Sequence, residues 1–225
     1  AIAFAFLPSR EVAQPEEPPL EAAMKGVHFI FTRKTILGAI SLDLFAVLFG
    51  GAVALLPAFA TQILHVNATG FGLLRAAPAF GAMLVAAYIS RHPIHRNAGR
   101  LLFICVAAFG IFTIVFGLSK NFWLSLFALA CVGGFDMVSV VIRASLVQLN
   151  TPDAMRGRVG AVENIFIGAS NELGAFESGG LAALIGTVPS VVAGGIATIA
   201  VIALWTLLFP SLRHFDRLDQ AGEAA

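Results

Sequence analysis

Three glutamates, Glu163, Glu172 and Glu177, stand in one otherwise apolar stretch, and Asp43, Arg75, Asp136 and Arg143 stand in others. Even on the lenient insertion scale an ionised side chain at a bilayer centre costs about 2.5–3.5 kcal/mol, so such residues need partners, water or protons. The chemistry open to them is proton carriage, ion pairing or contact with a charged solute. Hydrolytic chemistry lacks its parts, because no Ser within an apolar run has a His at comparable depth to act as base. His92 and His95 in HPIH have no third ligand nearby and sit in a basic segment, so neither a metal site nor a cofactor is expected. The glycines from Gly174 to Gly180 lack the preceding strand and the Lys-Ser/Thr ending of a phosphate loop.

The chain that holds these charges has 225 residues, 58% hydrophobic and 12% charged, against about 25% charged in a typical soluble domain. Apolar runs extend far past ten residues without the period-two alternation of a membrane barrel, which predicts an all-α membrane protein. At about 20 residues per span, the length accommodates a six-transmembrane-helix bundle with short loops. A net charge of +1 and the absence of a basic patch interleaved with aromatics exclude nucleic acid as a partner; the bilayer is the partner instead. Cys105 and Cys131 lie in different apolar runs, near an end and near a middle, and no disulfide between them is expected.

Along the chain, residues 1–8 (AIAFAFLP) read as the end of a preceding transmembrane helix. Residues 9–34 read as a proline-bearing linker leading into a short surface helix, residues 35–212 as the six-span half-domain, and residues 213–225 as a polar tail. Span one covers 35–59, with Gly50, Gly51 and Pro57; span two covers 70–90, with Pro78; span three covers 101–118. Span four starts at Phe122-Trp123, an aromatic pair suited to an interface, and ends before Pro152. Span five covers 158–186, and span six follows a turn at Thr187-Val188-Pro189 and ends near Pro210.

Alternating the six spans places Arg10, Lys25, Arg33, Lys34, Arg91, Arg96, Arg100, Arg156, Arg158, Arg213 and Arg217 on one side and only Lys120 on the other. By the positive-inside rule the basic loops and the C-terminus are then cytoplasmic. Orientation turns position into depth. Asp43 lies about 12 Å below the cytoplasmic surface and shares a helical face with Val47, Gly50 and Ala54. Arg75, close to the external face, either snorkels outward or contacts an anionic substrate or an external gate. Asp136 and Arg143 share a face but sit about 10.5 Å apart along the axis, too far to pair directly. Asp136 is either a cavity-facing acid or a structural hydrogen-bonding group. Arg143, closer to the cytoplasm, is expected to close a salt bridge with a loop or with Glu163.

In span five, Glu163, Ser170, Gly174 and Glu177 form one stripe beside a second of Asn164, Gly168, Asn171, Ala175 and Ser178. Glu172 points about 180° away from Glu163 on a straight helix. Either Glu172 points into its own bundle while Glu163 and Glu177 face another partner, or the glycines unwind the helix between them.

The order of spans, a basic RHPIHRNAGR segment after the second, an RGR loop after the fourth, and VIRASLVQLNTPDAMRGRVGAVENIFIGASNELGAFESG at residues 140–178 together resemble the C-terminal half of a major facilitator superfamily transporter, in the bacterial secretion-effector and enterobactin-exporter-like branch. The resemblance implies that the six spans are half of a twelve-helix fold, with an N-terminal six-helix half missing from this chain. Arg91, Arg96 and Arg100 then look like a degenerate cytoplasmic signature loop without its acid. Arg156 and Arg158 would latch the inward gate by pairing with acids at helix ends, Glu163 among them.

On this reading the chain serves proton-coupled efflux of a small amphipathic or anionic molecule, such as a siderophore or drug, across the bacterial cytoplasmic membrane. Asp43, Arg75, Asp136, Asn171, Glu172 and Glu177 would line the substrate and proton pathway, with Asp136, Glu172 and Asp43 the candidate proton carriers. The rival expectation is a non-transporting membrane assembly protein that binds a partner helix through the polar small-residue face of span five.

Overall fold

The computed structural model describes residues 19–94 and 96–213, so the readings made for residues 1–18, His95 and residues 214–225 lie outside the described residues. A first helix, α1 (Pro19–Thr32), precedes α2 (Lys34–Phe49). The chain continues through a 3-10 turn (Gly51–Val53), a single turn α3 (Leu56–Ala58) and a π turn (Phe59–Ile63). Then come α4 (Ala68–Arg91), α5 (Ala98–Leu118), α6 (Phe122–Leu149), α7 (Asp153–Ile185), α8 (Thr187–Leu208) and the short α9 (Pro210–Arg213). Among the described residues every regular element is helical, as expected of an all-α membrane protein. Four helices, α4, α5, α6 and α8, are long and apolar enough to cross a bilayer. The other two expected spans fall short for separate reasons: α2 stops after 16 residues, and the 33-residue α7 carries Asp153, Arg156, Arg158 and the three glutamates.

Three boundaries differ from expectation. Span one is broken at Gly50, where two poor helix formers meet and Pro57, which cannot donate a hydrogen bond, enters the next turn. Arg156-Gly157-Arg158 is not a loop but part of the opening turns of α7. Pro152 caps that helix start and Asp153 supplies an acid in its first turn, where negative charge favours the helix dipole. The turn before the last span is Gly186 alone, at φ +95°, a region open chiefly to glycine; Thr187, Val188 and Pro189 already belong to α8. Asparagines begin two of the spans: Asn67 Oδ1 accepts from Gly70 N at 2.9 Å, and Asn121 Oδ1 accepts from Trp123 N at 2.9 Å.

Where helices cross closely, small residues let the backbones meet. Gly81 lies on the Ala130 backbone and Gly133 on that of Pro78, joining α4 to α6; Gly195 lies on the Gly110 carbonyl, joining α8 to α5. The outer surface is apolar and suited to lipid: Phe176, Leu184 and Leu207 are about 80% exposed. The interior holds two separate apolar clusters. One, at the end bearing the basic segments, includes Leu42, Leu102, Ile142, Val159 and Trp205; the other, at the opposite end, includes Leu56, Phe59, Leu74, Phe116 and Leu129.

Within the first cluster, Trp205 Nε1 donates to Ser41 Oγ at 3.1 Å, tying α8 to α2. Trp205→Phe keeps most of the ring but loses this bond, and is expected to lower stability by about 0.5–1.5 kcal/mol. Thermal unfolding of the purified protein in detergent measures it; a Trp205→Phe effect that adds in full to that of Ser41→Ala would show the bond to be energetically idle.

Candidate functional site

The polar groups collect between and beside the two apolar clusters, where α2, α6 and α7 face one another. Arg143 on α6 is 5% exposed and holds two carboxylates from two other helices. Its Nη2 lies 3.2 Å from Asp43 Oδ2 on α2, and its Nη1 donates to Glu163 Oε1 on α7. The remaining guanidinium nitrogen, Nε, is buried without a hydrogen-bond partner. One cation thus clamps three helices, and two acids on one base leave the cluster one negative charge in excess when all are ionised.

The Arg143–Glu163 contact is legible in the sequence; the Asp43–Arg143 contact is not, since the two residues lie on spans far apart in the chain. Depth is the signal that finds it. Asp43 is nine residues along from Lys34 and Arg143 seven residues before Asn150, which is roughly 10–14 Å from the same end of the bundle for both.

One turn of α2 beyond Asp43, a cavity of about 320 Å³ opens at the helix break. Val47 of α2 and Gly50, Gly51, Val53 and Ala54 at the break that follows it form one wall, and Pro78 of α4, Phe109 of α5 and Gly133 of α6 close other sides. Only two polar side chains line it, Asp136 from α6 and Asn171 from α7. Asp136 is partly buried and makes no ion pair among the described residues. The cavity thus borders the break that follows α2.

The remaining candidates are spread apart. The helix α7 is continuous, so its glycines do not unwind it. Its glutamates do point in different directions: Glu163 turns into its own bundle and meets Arg143, one of the two pairings expected for that arginine, while Glu172 is exposed and does not point into the bundle. Glu177 is half-buried and Arg75 exposed, and neither lines the cavity. Arg91, Arg96 and Arg100 are exposed and form no ion pair among the described residues. Arg156 does not reach Glu163; it pairs with Asp153 at 2.6 Å, one turn back, and its Nε donates to the Gln148 and Thr151 carbonyls. Arg158 Nη1 contacts Met155 Sδ at 3.5 Å. His92, the described member of the HPIH pair, stacks on Tyr88.

The stripe of small residues on α7 is used within the chain. Gly174 lies against the Leu48 carbonyl, and Ser178 against Gly51, so α7 crosses α2 at its break. Ser190 Oγ of α8 donates to the Ser178 carbonyl at 3.1 Å. By contrast Gly157, Gly160, Gly168, Gly179 and Gly180 of the same helix have no neighbouring atom within 4 Å of a built Cβ.

Residues 6–225 match the family model described as transmembrane secretion effector. The enterobactin exporter EntS of Citrobacter koseri is 31% identical over 214 residues, 94% of this chain and 51% of that protein. Its counterpart in Escherichia coli K12 is 28% identical over 204 residues, 90% of this chain and 48% of that protein. This chain therefore spans about half the length of the curated relatives it matches.

Proposed function

This chain belongs to the transmembrane secretion effector family of the major facilitator superfamily, and on that premise we propose that it forms one six-helix half of a proton-coupled exporter in the bacterial inner membrane. A second six-helix half completes the pathway, and the two rock about a midplane cavity in alternating access. The basic segments and the C-terminus face the cytoplasm.

The observation that carries this reading is Asp136. It is a carboxylate at mid-bundle, on the wall of a cavity at a broken helix, with no ion-pair partner among the described residues. An acid so placed gains most by exchanging its proton with whichever side the cavity opens to, and each exchange biases the two-state equilibrium of the halves. Asp43 has the opposite assignment. Held by Arg143, it fixes α2 against α6 and α7 at the cytoplasmic end, so that motion passes into the broken outer part of α2.

Asp136→Asn removes the exchangeable proton while keeping the shape. In inverted membrane vesicles the variant is expected to lose at least about tenfold in transport driven by a pH gradient, while exchange of substrate without a gradient continues. Transport that still follows the pH gradient in Asp136→Asn would eliminate Asp136 as the carrier, and Glu172→Gln then tests the remaining acid.

The open glycines of α7 support a second reading, a membrane assembly protein that packs a partner helix on that face. Co-purification of a partner without any energised flux distinguishes it.

A further inference from the structure

We propose that the cavity beside Asp136 takes the positively charged group of an amphipathic organic cation, an inference that rests on the export reading and adds the substrate class to it. The cavity's charge comes from few groups. Of its lining side chains, Asp136 is the only ionisable one and Asn171 the only other polar one. The helices packed around it bring no compensating cation to the described lining. From α2 comes Asp43, an acid; from α5, the apolar Phe109; from α7, Asn171 on the lining and the acids Glu163 and Glu172 away from it. On α4 the one cation at membrane depth, Arg75, is exposed and off the lining. On α6 Arg143 is two turns from Asp136, about 10.5 Å along the axis, with both terminal nitrogens engaged by Asp43 and Glu163.

Among the described residues Asp43, Asp136 and Glu163 therefore stand against Arg143, and the four together are negative when all are ionised. On the wall this chain supplies, an anionic solute would meet like charge, with the Asn171 amide as the side-chain donor among the described lining residues. A cationic one would meet the Asp136 carboxylate, the Asn171 carbonyl oxygen and the ring of Phe109, whose face attracts cations. The rest of the lining is aliphatic or glycine and suits an apolar body. About 320 Å³ is room for a group the size of a small drug fragment. Cation and proton then compete for one carboxylate, so that loading the substrate releases a proton and the reverse step reloads it.

Tetraphenylphosphonium and tetraphenylborate have nearly the same size and shape and opposite charge. Equilibrium binding of each to the complete detergent-purified transporter that carries this chain is the test, run beside efflux of each from energised cells. Tetraphenylphosphonium is expected to bind and tetraphenylborate to fail to compete. Asp136→Asn should weaken tetraphenylphosphonium binding at least about tenfold, and Asp136→Glu should keep it within about threefold. Asn171→Asp, which leaves Asp136 in place, should tighten it several-fold, and Asn171→Lys should abolish it. Equal binding of the two probes, or tetraphenylphosphonium binding indifferent to charge at positions 136 and 171, overturns the assignment. If neither probe binds while another compound is extruded on a pH gradient, the substrate class falls and the export reading stands. If Asp136-dependent tetraphenylphosphonium binding occurs without energised flux of any compound, the site stands and the export reading falls.

Discussion

Arg143→Met is expected to cost the protein about 3–5 kcal/mol, because it leaves two carboxylates without the cation that justifies their burial. Asp43 and Glu163 keep only 8% and 15% of their side-chain surface exposed, and among the described residues Arg143 is the base that pairs with each. Their repulsion would be relieved by taking up protons or by parting α2 from α7, and either outcome loosens the end of the bundle that bears the basic segments. Arg143→Lys should fall between. An ammonium is a single point charge, whereas the guanidinium presents separate nitrogens to the two acids. The control that isolates the electrostatic cause is the triple variant Arg143→Met, Asp43→Asn, Glu163→Gln. Uncharged partners remove the penalty, and replacing a buried ion cluster by neutral groups is often tolerated, so most of the lost stability should return. Transport should not return with it if the cluster also fixes α2 during the cycle. Denaturant or thermal unfolding in detergent reads the first effect and vesicle transport the second. A loss under about 1 kcal/mol for Arg143→Met would mean that the clamp is not formed in the membrane.

The clamp also shows how far sequence reading reaches in a membrane bundle. Apolar runs, turn residues and the cost of intramembrane charge suffice to find the helices and to single out Asp43, Asp136, Arg143 and Glu163, because each of those signals is local. Partner choice is not local. Helical spacing correctly placed Asp136 and Arg143 on one face yet too far apart to pair, but it says nothing about which neighbouring helix stands opposite. Only matched depth links Asp43 to Arg143, and depth must be counted from both helix ends together. The same limit leaves the direction of Glu172 open in the sequence. Glu163 and Glu172 do point in opposite directions, and the choice of which points inward was settled by a guanidinium on a different helix. The cavity was beyond reach for a further reason: it borders the break at Gly50, and two glycines in an apolar run fit a close crossing as well as a break. Here they serve both, with Gly51 against Ser178 and Gly50 against Phe109.

Gly174→Val tests that crossing and its connection to the site. A Cβ at Gly174 would lie 2.7 Å from the Leu48 carbonyl oxygen and 3.2 Å from the Leu48 Cα, both backbone atoms that cannot rotate away. The helices must separate, and overpacking of this kind costs about 1–3 kcal/mol. Gly174→Ala should show a smaller loss and Gly174→Leu a larger one. Separation also has a functional consequence, since Asn171 and Ala175 lie within a turn of Gly174 and form the α7 wall of the cavity. Efflux is expected to fall about tenfold in Gly174→Val, with the protein still folded. Gly168 supplies the comparison on the same helix. It has open space around a built Cβ, so Gly168→Val should leave the stability of this chain within about 0.5 kcal/mol. In the complete transporter the two positions should behave differently again. A second half packed on the open glycines of α7 would make Gly168→Val costly there while Gly174→Val costs the same in both settings. If Gly168→Val is silent in the complete protein too, no helix packs at that point on α7, and the proposed second half would have to meet this chain through other faces.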